Sequence, residues 1–237
     1  MTAKADFQVA TPRSAVARPA AADAFRDGRR AGDRWRYRGA ITREQWLLNE
    51  ARTVARLRID EGLEDDEVLR RNREQNLFQY PTEREIASLT RACLLRLDNL
   101  SEDPGRRQGL TGLIAHGTPS QARQANLYAM MRTYRVVWEF MVSLVGRKLQ
   151  SFYFHLERAE VAAFLESLRE QSDEVASWSD STFNKIRQVL VKCLVETGYL
   201  KSSRDTQLVP PLLDLDLEVA VRANGDGIAL PAFNIFN

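Results

Sequence analysis

The chain has 237 residues, 44% of them hydrophobic and 28% charged, which is ordinary for a globular protein of one or two domains. Its 34 basic and 32 acidic side chains leave a net charge of +2, so overall charge does not by itself indicate a nucleic-acid ligand. The N-terminus lacks a signal peptide's apolar core, and the most apolar window, residues 136–145, is shorter than the ~18 residues of a membrane span, so we expect a cytoplasmic protein.

Residues 1–38 are rich in Ala, Arg, Pro, Asp and Gly, a composition typical of a mobile tail. Five arginines there lie around Trp35 and Tyr37, and such a segment could grip phosphates and stack on bases. In the alternative interpretation, the two aromatic residues pack on the folded body. The arginines are Arg29, Arg30, Arg34, Arg36 and Arg38.

Residues 39–155 are predicted to form a helical bundle. Capping boxes beginning at Thr42 and Thr82 predict helices to about Asp60 and about Asn99, with a charged helix over residues 64–75 between them. Five glycine or proline positions make residues 101–117 a predicted loop with one short apolar turn.

A central helix is predicted to follow this loop. Thr118, Pro119 and Gln121 are typical of a helix start, and the helix is predicted to reach Leu149. Its apolar residues cover much of the circumference, which indicates a buried helix.

The charge is unevenly distributed in the predicted bundle. Residues 1–58 carry +7, residues 59–100 carry −4 and residues 101–150 carry +4. If the two basic stretches meet in the fold, the bundle presents a positive surface.

Residues 156–237 are predicted to form a winged helix-turn-helix domain. Short amphipathic patterns over residues 160–171 and 172–178 precede a third helix over residues 181–197, for which Ser181 or Thr182 is the predicted N-cap. A two-stranded wing is predicted over residues 199–209. A further hairpin is predicted to pair residues 218–222 with residues 228–230.

The third helix has one apolar face and one polar face. Lysine, asparagine and glutamine on the polar face can contact phosphates and the edges of guanine and adenine, and the first-turn amides of Phe183 and Asn184 offer a phosphate position. Winged helices also serve as protein-docking or purely structural modules, and a polar helix face is usually just solvated. The predicted nucleic-acid contacts are Ser181, Thr182, Asn184, Lys185, Gln188, Lys192, Lys201 and Arg204.

No catalytic or metal-binding pattern stands out, so we expect neither an enzyme nor a metal or other cofactor. The two histidines, His116 and His155, have no partners at metal-ligand spacing, and phosphate-loop and carboxylate-x-lysine motifs are absent. The alternation of Asp214, Asp216 and Glu218 suggests either a cation site or, more simply, a solvated strand face.

Two groups of residues resemble the BrxA family of BREX phage-exclusion systems, and the likeness covers roughly residues 40–220. The first group runs from Leu127-Tyr128 through Arg132-x-Tyr134-Arg135 and Trp138-Glu139-Phe140 to Lys148-Leu149. The second, which includes the most specific segment, is Trp178-Ser-x-Ser-Thr182-x-x-Lys185-x-Arg187, followed by Leu194-x-Glu-x-Gly198-Tyr-Leu200.

The resemblance implies a small, mostly helical, non-enzymatic protein that binds double-stranded DNA. Its expected partners are the other BREX proteins, namely a methyltransferase, a large ATPase and a phosphatase-like component. Family members have been likened to the RNA-binding factor NusB, so RNA stays a possible ligand. The competing hypotheses are a protein-docking scaffold of the defence complex and a local transcription regulator.

Overall fold

The computed structural model describes residues 36–236, and helices make up the regular structure of this part of the chain. The prediction of a mainly α protein is confirmed. In chain order the elements are α1 (Ile41–Glu44), α2 (Leu48–Asp60), α3 (Asp65–Gln75), α4 (Glu83–Asp98), α5 (Pro104–His116), α6 (Pro119–Thr133), α7 (Arg135–Glu139), a π-helical segment (Phe140–Gly146), α8 (Arg147–Gln150), α9 (Arg158–Gln171), α10 (Asp173–Ala176), α11 (Asp180–Glu196), α12 (Leu215–Ala223) and a 3₁₀ segment (Gly227–Phe233).

One continuous hydrophobic core runs through these elements, with members from Tyr37 to Phe233. Helix α2 packs against α4 and α5, and α11 packs against both α1 and α9. The predicted central helix is confirmed in α6, of whose fifteen residues eleven are buried. The proposed domain boundaries after residues 38 and 155 stay predictions.

The start of the first predicted helix is wrong. Helix α1 ends at Glu44, and Gln45 and Leu47 take left-handed backbone angles (φ of 32° and 47°) before α2 begins at Leu48. The buried guanidinium of Arg96 explains the interruption, because it donates to the carbonyls of Glu44, Gln45 and Trp46 at 2.6–2.9 Å. The side chain thereby supplies donors to carbonyls that the interruption leaves without helical partners.

The predicted loop over residues 101–117 is also wrong, because most of it forms α5. The carboxylate of Asp103 accepts from the amide of Arg106 at 2.7 Å, and Pro104 occupies the first turn, where its missing N–H costs nothing. Leu110 and Ile114, one turn apart, are buried in the core. This tertiary packing outweighs the weak helix propensity of the glycines.

The long helix predicted after residue 118 begins as expected and is then interrupted. The reciprocal capping box between Thr118 and Gln121 is present, but Tyr134 is extended (φ −119°, ψ 111°) and separates α6 from α7. The next turns widen into the π-helical segment, which packs on the 3₁₀ segment. There Gly146 allows a close approach, because a Cβ would lie 3.1 Å from the backbone nitrogen of Ala232.

The hairpin predicted near the C-terminus is wrong. Its first strand, residues 218–222, lies inside α12, and its second, residues 228–230, lies in the 3₁₀ segment. The carboxylate of Asp214 caps α12 by accepting from the amides of Asp216 and Leu217. The acidic alternation that suggested a strand face is therefore the cap and first turn of a helix, where negative charge is favourable.

The predicted tail of residues 1–38 lies outside the described residues except for its last three. Tyr37 is buried and donates a hydrogen bond of 2.6 Å from its hydroxyl to Glu139, and Arg36 forms an ion pair with Glu174. The alternative that Tyr37 packs on the body is confirmed, whereas Trp35 lies outside the described part. None of the helices described between residues 36 and 236 is both long and apolar enough to span a bilayer.

Candidate nucleic-acid interface

Three helices stand in the order expected for a helix-turn-helix, namely α9, α10 and α11. The third is one residue earlier at each end than predicted, because its N-cap is Ser179 and not Ser181 or Thr182. The Ser179 hydroxyl accepts from the amide of Thr182 at 3.2 Å and lies 2.8 Å from the Ser181 hydroxyl. Ser181 and Thr182 therefore belong to the first turn of α11.

The earlier start changes the expected phosphate position. The Phe183 amide donates to the Ser179 carbonyl at 3.0 Å, so it is part of the helical ladder and is not free for an anion. Asp180 already places a carboxylate in the first turn, where it offsets the positive end of the helix dipole. The phosphate position predicted at the Phe183 amide is thus wrong.

The polar face of α11 agrees with the prediction at Gln188 and Lys192, but Asn184, predicted at its margin, is exposed and Lys185, predicted at its centre, is not. Asn184, Gln188 and Lys192 are exposed and follow one another at intervals of four residues, so they form a line of about 12 Å at 1.5 Å per residue. We call these three residues the polar strip. Lys185 beside it is half-buried. The opposite face is buried in the core and consists of Phe183, Ile186, Val189, Leu190, Cys193 and Leu194.

The C-terminal end of the polar strip opens into a cleft of about 440 Å³ between α11 and the bundle. Lys192 lines this cleft together with Arg43 of α1 and Arg123 of α6, and all three are exposed. Within the described part of the chain, none of the three forms an ion pair. The carboxylates that share the lining are Glu50, Glu85 and Glu196.

The wing over residues 199–209 does not form two strands; within residues 36–236 there is only one isolated β-bridge. That bridge joins Gln207 to His155, and the Leu208 amide donates to the Phe154 carbonyl at 3.1 Å. The Val209 amide donates to the Tyr199 carbonyl at 2.8 Å and so joins the two ends of the segment. We call residues 199–209 the post-α11 loop.

The Asp205 carboxylate explains why residues 199–209 do not form two strands. It accepts from the amides of Lys201, Thr206 and Gln207 at 2.8–3.2 Å, and a side chain that satisfies these amides replaces a strand ladder. Hydrogen bonds from the amides of Gln207 and Lys201 hold the pKa of Asp205 below its usual range. The side chains of Lys201 and Arg204 stay exposed on this loop.

The predicted site residues therefore fall into separate groups. Ser181 and Thr182 join the capping hydroxyls, Asn184, Gln188 and Lys192 share the polar strip, and Lys185 lies beside it. Lys201 and Arg204 project from the post-α11 loop. Among the described residues, no hydrogen bond or ion pair links that loop to the polar strip.

Several of the basic residues that predicted a positive bundle surface bond to the protein's own backbone or are buried. Arg52 and Arg56 donate to the carbonyls of Gly117 and Ala115 at the C-terminal end of α5, where a cation offsets the helix dipole. Arg96 and Arg132 are buried. Much of the charge counted along the bundle thus serves its folding.

Sequence reasoning missed the structural role of Trp178. Its ring lies edge-on to Tyr37 at 6.3 Å and to Phe183 at 5.7 Å, so it connects the start of the described chain to α11. Arg135 lies 4.2 Å above the Tyr37 ring. The sequence offered one signal for this role, namely a tryptophan directly before the serines at the start of α11.

The histidines have ordinary surface partners. His116 Nε2 lies 2.6 Å from Asp60, and His155 Nε2 lies 2.7 Å from Glu157. Over residues 36–236, no cluster of three or more His, Cys, Asp or Glu side chains could hold a metal ion.

Known proteins resemble this chain over most of its length. A family model described as BrxA matches residues 35–225. A BREX protein BrxA of Bacillus cereus is 34% identical over 196 residues, which cover 81% of this chain and 93% of that protein. Another, from Paramagnetospirillum magneticum, is 25% identical over 194 residues, covering 81% and 92%.

One solved structure shares the fold. The crystal structure of an uncharacterized protein from Magnetospirillum magneticum superposes with a TM-score of 0.68 and 23% identity. The match covers 84% of this chain and 98% of that one.

Proposed function

The chain belongs to the BrxA family of BREX phage-exclusion systems, and we propose that in such a system it is a non-enzymatic accessory protein that binds double-stranded DNA. The polar strip of Asn184, Gln188 and Lys192 is the observation that carries this proposal. The expected partners, besides DNA, are other BREX proteins.

The polar strip has the chemistry and dimensions of a duplex contact. Asparagine and glutamine can bond in a bidentate manner to adenine, and lysine can meet guanine or a phosphate. A major groove about 12 Å wide admits an α-helix, and the strip would present its three side chains along about 12 Å of that helix. Because the opposite face of α11 is packed in the core, the strip is held on a rigid element.

Cations outside the strip support the same proposal. Arg43 and Arg123 share the cleft with Lys192, and Lys201 and Arg204 are exposed on the post-α11 loop. Phosphate contacts from such residues position a protein on the duplex and supply most of its salt dependence.

A mobility-shift titration against salt concentration tests the proposal. The variant Lys185→Ala/Lys192→Ala/Arg204→Ala should bind duplex DNA more weakly, with a shallower dependence of log K on log[salt]. The slope should fall by about 0.9 for each phosphate that the variant no longer neutralises. The matched control, Arg70→Ala/Arg71→Ala/Arg73→Ala, removes the same charge from α3, whose arginines pair with nearby glutamates.

If both triple variants bind duplex as wild type does, or weaken binding equally, the cations of α11 and of the post-α11 loop do not contact DNA and the proposal fails. A protein that fails to bind DNA but still retrieves BREX proteins from the defence complex would be a docking scaffold. The exposed ridge of Leu212, Leu215 and Val219 supports that second candidate, since contiguous apolar surface marks protein contacts. Binding of duplex RNA in preference to DNA would favour the NusB-like role, and a footprint confined to its own promoter would favour a regulator.

A further inference from the structure

A short loop between α8 and α9 exposes two neighbouring aromatic rings. The side chains of Phe152 and Tyr153 are 74% and 54% exposed, and Phe236, 40% exposed, lies with its ring centroid 6.1 Å from that of Phe152. We call these three residues the aromatic platform. A large aromatic side chain that folding leaves in water is the kind of exposed apolar surface that marks a binding site.

The backbone at Phe152 has an unfavourable conformation. Phe152 has a φ of 56°, a left-handed angle that suits glycine and costs about 1–2 kcal/mol for other residues. Its amide donates to the Leu149 carbonyl at 3.0 Å, and the Tyr153 amide donates to the Lys148 carbonyl at 2.9 Å. The backbone of both residues is therefore bonded to the end of α8, and glycine at position 152 would relieve the strain.

One lysine contacts the platform, and two exposed basic side chains lie on the loop that pairs with it. Lys148 Nζ lies 4.5 Å from the centre of the Tyr153 ring. The pairing of His155 with Gln207 joins this loop to the post-α11 loop, which carries Lys201 and Arg204.

The acidic groups nearby are already engaged. Glu157 contacts His155, and Glu160 forms an ion pair of 2.6 Å with Lys148. Asp205 accepts from three backbone amides of its own loop. Because Lys148 is buried and neutralised by Glu160, the positive charge available near the rings is that of the exposed Lys201 and Arg204 on the paired loop, which favours a polyanion as the ligand.

We propose that Phe152 and Tyr153 stack on unpaired nucleic-acid bases next to the duplex contact. Aromatic faces flanked by lysine and arginine bind single strands in this way, because every base offers a flat face and the cations follow the backbone. The aliphatic ridge on α12, beside the exposed Asp216, has neither property. This role rests on the proposed function and adds that the protein prefers DNA with unpaired bases, such as a bubble or an overhang.

Three probes of matched sequence separate stacking from duplex binding: a blunt duplex, the same duplex with a central mismatched bubble, and the single strand. The full-length variant Phe152→Gly/Tyr153→Ala should bind the bubble and the single strand about tenfold more weakly for each ring removed. Its affinity for the blunt duplex should stay within about twofold of wild type. The salt slope should not change for any probe, because no cationic side chain is replaced.

Two control variants keep the result interpretable. The glycine at position 152 suits the left-handed backbone, so the test variant should fold as wild type does. Phe152→Tyr keeps a ring and should bind all probes as wild type does. Leu212→Ala removes an equally exposed apolar side chain elsewhere and should leave every affinity unchanged. In wild type, a photoreactive iodouracil in the bubble should cross-link to residues 152–153.

The outcomes distinguish this role from the proposed function. If wild type binds the bubble and the single strand through these rings but not the blunt duplex, the duplex proposal fails and the platform stands. Equal losses on all three probes, or no loss on any, would overturn the platform and leave duplex binding in place. A variant that keeps its nucleic-acid affinity but no longer retrieves a BREX protein would show that the rings bind protein instead.

Discussion

The arginines of the bundle and the polar residues of α11 are both hydrogen-bonding side chains, but they have different partners. In the bundle, Arg52, Arg56 and Arg96 donate to carbonyls at interrupted or terminal helix positions. On α11, Gln188 and Lys192 point away from the core and are exposed. The first set completes the fold, and the second is available to a ligand.

This difference shows why charge counted along a sequence misjudges a surface. The planar guanidinium of arginine has five hydrogen-bond donors, so it can bond to carbonyls that have no backbone partner. A stretch rich in arginine can therefore direct much of its charge to the protein's own backbone. A side chain belongs to the interface when its helix face is exposed and its partners inside the molecule are few.

Replacing Arg96 should have the largest effect on stability. Arg96→Met leaves the carbonyls of Glu44 and Gln45 without their shared donor inside the core and leaves the Trp46 carbonyl with only the Asn126 side-chain amide. Unsatisfied buried polar groups cost about 1–3 kcal/mol each, so we expect the free energy of unfolding to fall by about 3–5 kcal/mol. Urea denaturation followed by circular dichroism measures this change.

The matched control is Arg43→Met in the neighbouring helix α1. Arg43 is exposed, and its replacement should change the free energy of unfolding by about 0.5 kcal/mol or less. Comparable losses for the two variants would refute the division into internal and available arginines.

A smaller effect separates the two serines at the start of α11. Ser179→Ala removes the hydroxyl that accepts from the Thr182 amide, so it should destabilise the protein by about 1 kcal/mol. Ser181→Ala should change stability by less than about 0.5 kcal/mol, because that hydroxyl is exposed in the first turn. Thermal unfolding of both variants gives the comparison, and a larger loss for Ser181→Ala would restore it as the cap.

Local signals in the sequence predicted much of the helical structure. The Thr118 capping box, the Thr82 cap of α4 and the two-faced pattern of α11 are each readable within a few residues, and all are present. The outward polar strip followed from the same periodicity. These features depend on side chains and backbone groups that are neighbours along the chain.

Two of the wrong predictions depend on partners far away in sequence, and a third depends on a local side chain. The interruption at Gln45 requires Arg96, about fifty residues later, and nothing around Thr42 announces it. The glycines of α5 suggested a loop because glycine has a weak helix propensity. They are helical because α5 packs against the core, which the local sequence does not show. The wing failed because Asp205 takes amides that a strand would need, and this choice is invisible to periodicity alone.

The smallest predicted effect concerns how that same carboxylate holds the post-α11 loop. Because the pKa of Asp205 is lowered in the folded protein, its stabilising contribution is complete above the ordinary aspartate value of about 4 and is lost as the pH falls through the lowered value. Hydrogen exchange at the amides of Lys201 and Gln207, corrected for intrinsic rates, should thus be constant from neutral pH down to about 5 and accelerate only below about 4. Asp205→Asn should exchange faster already at neutral pH and show no such step. A step in wild type between pH 7 and 5, or the same step in the variant, would mean that another group holds the loop.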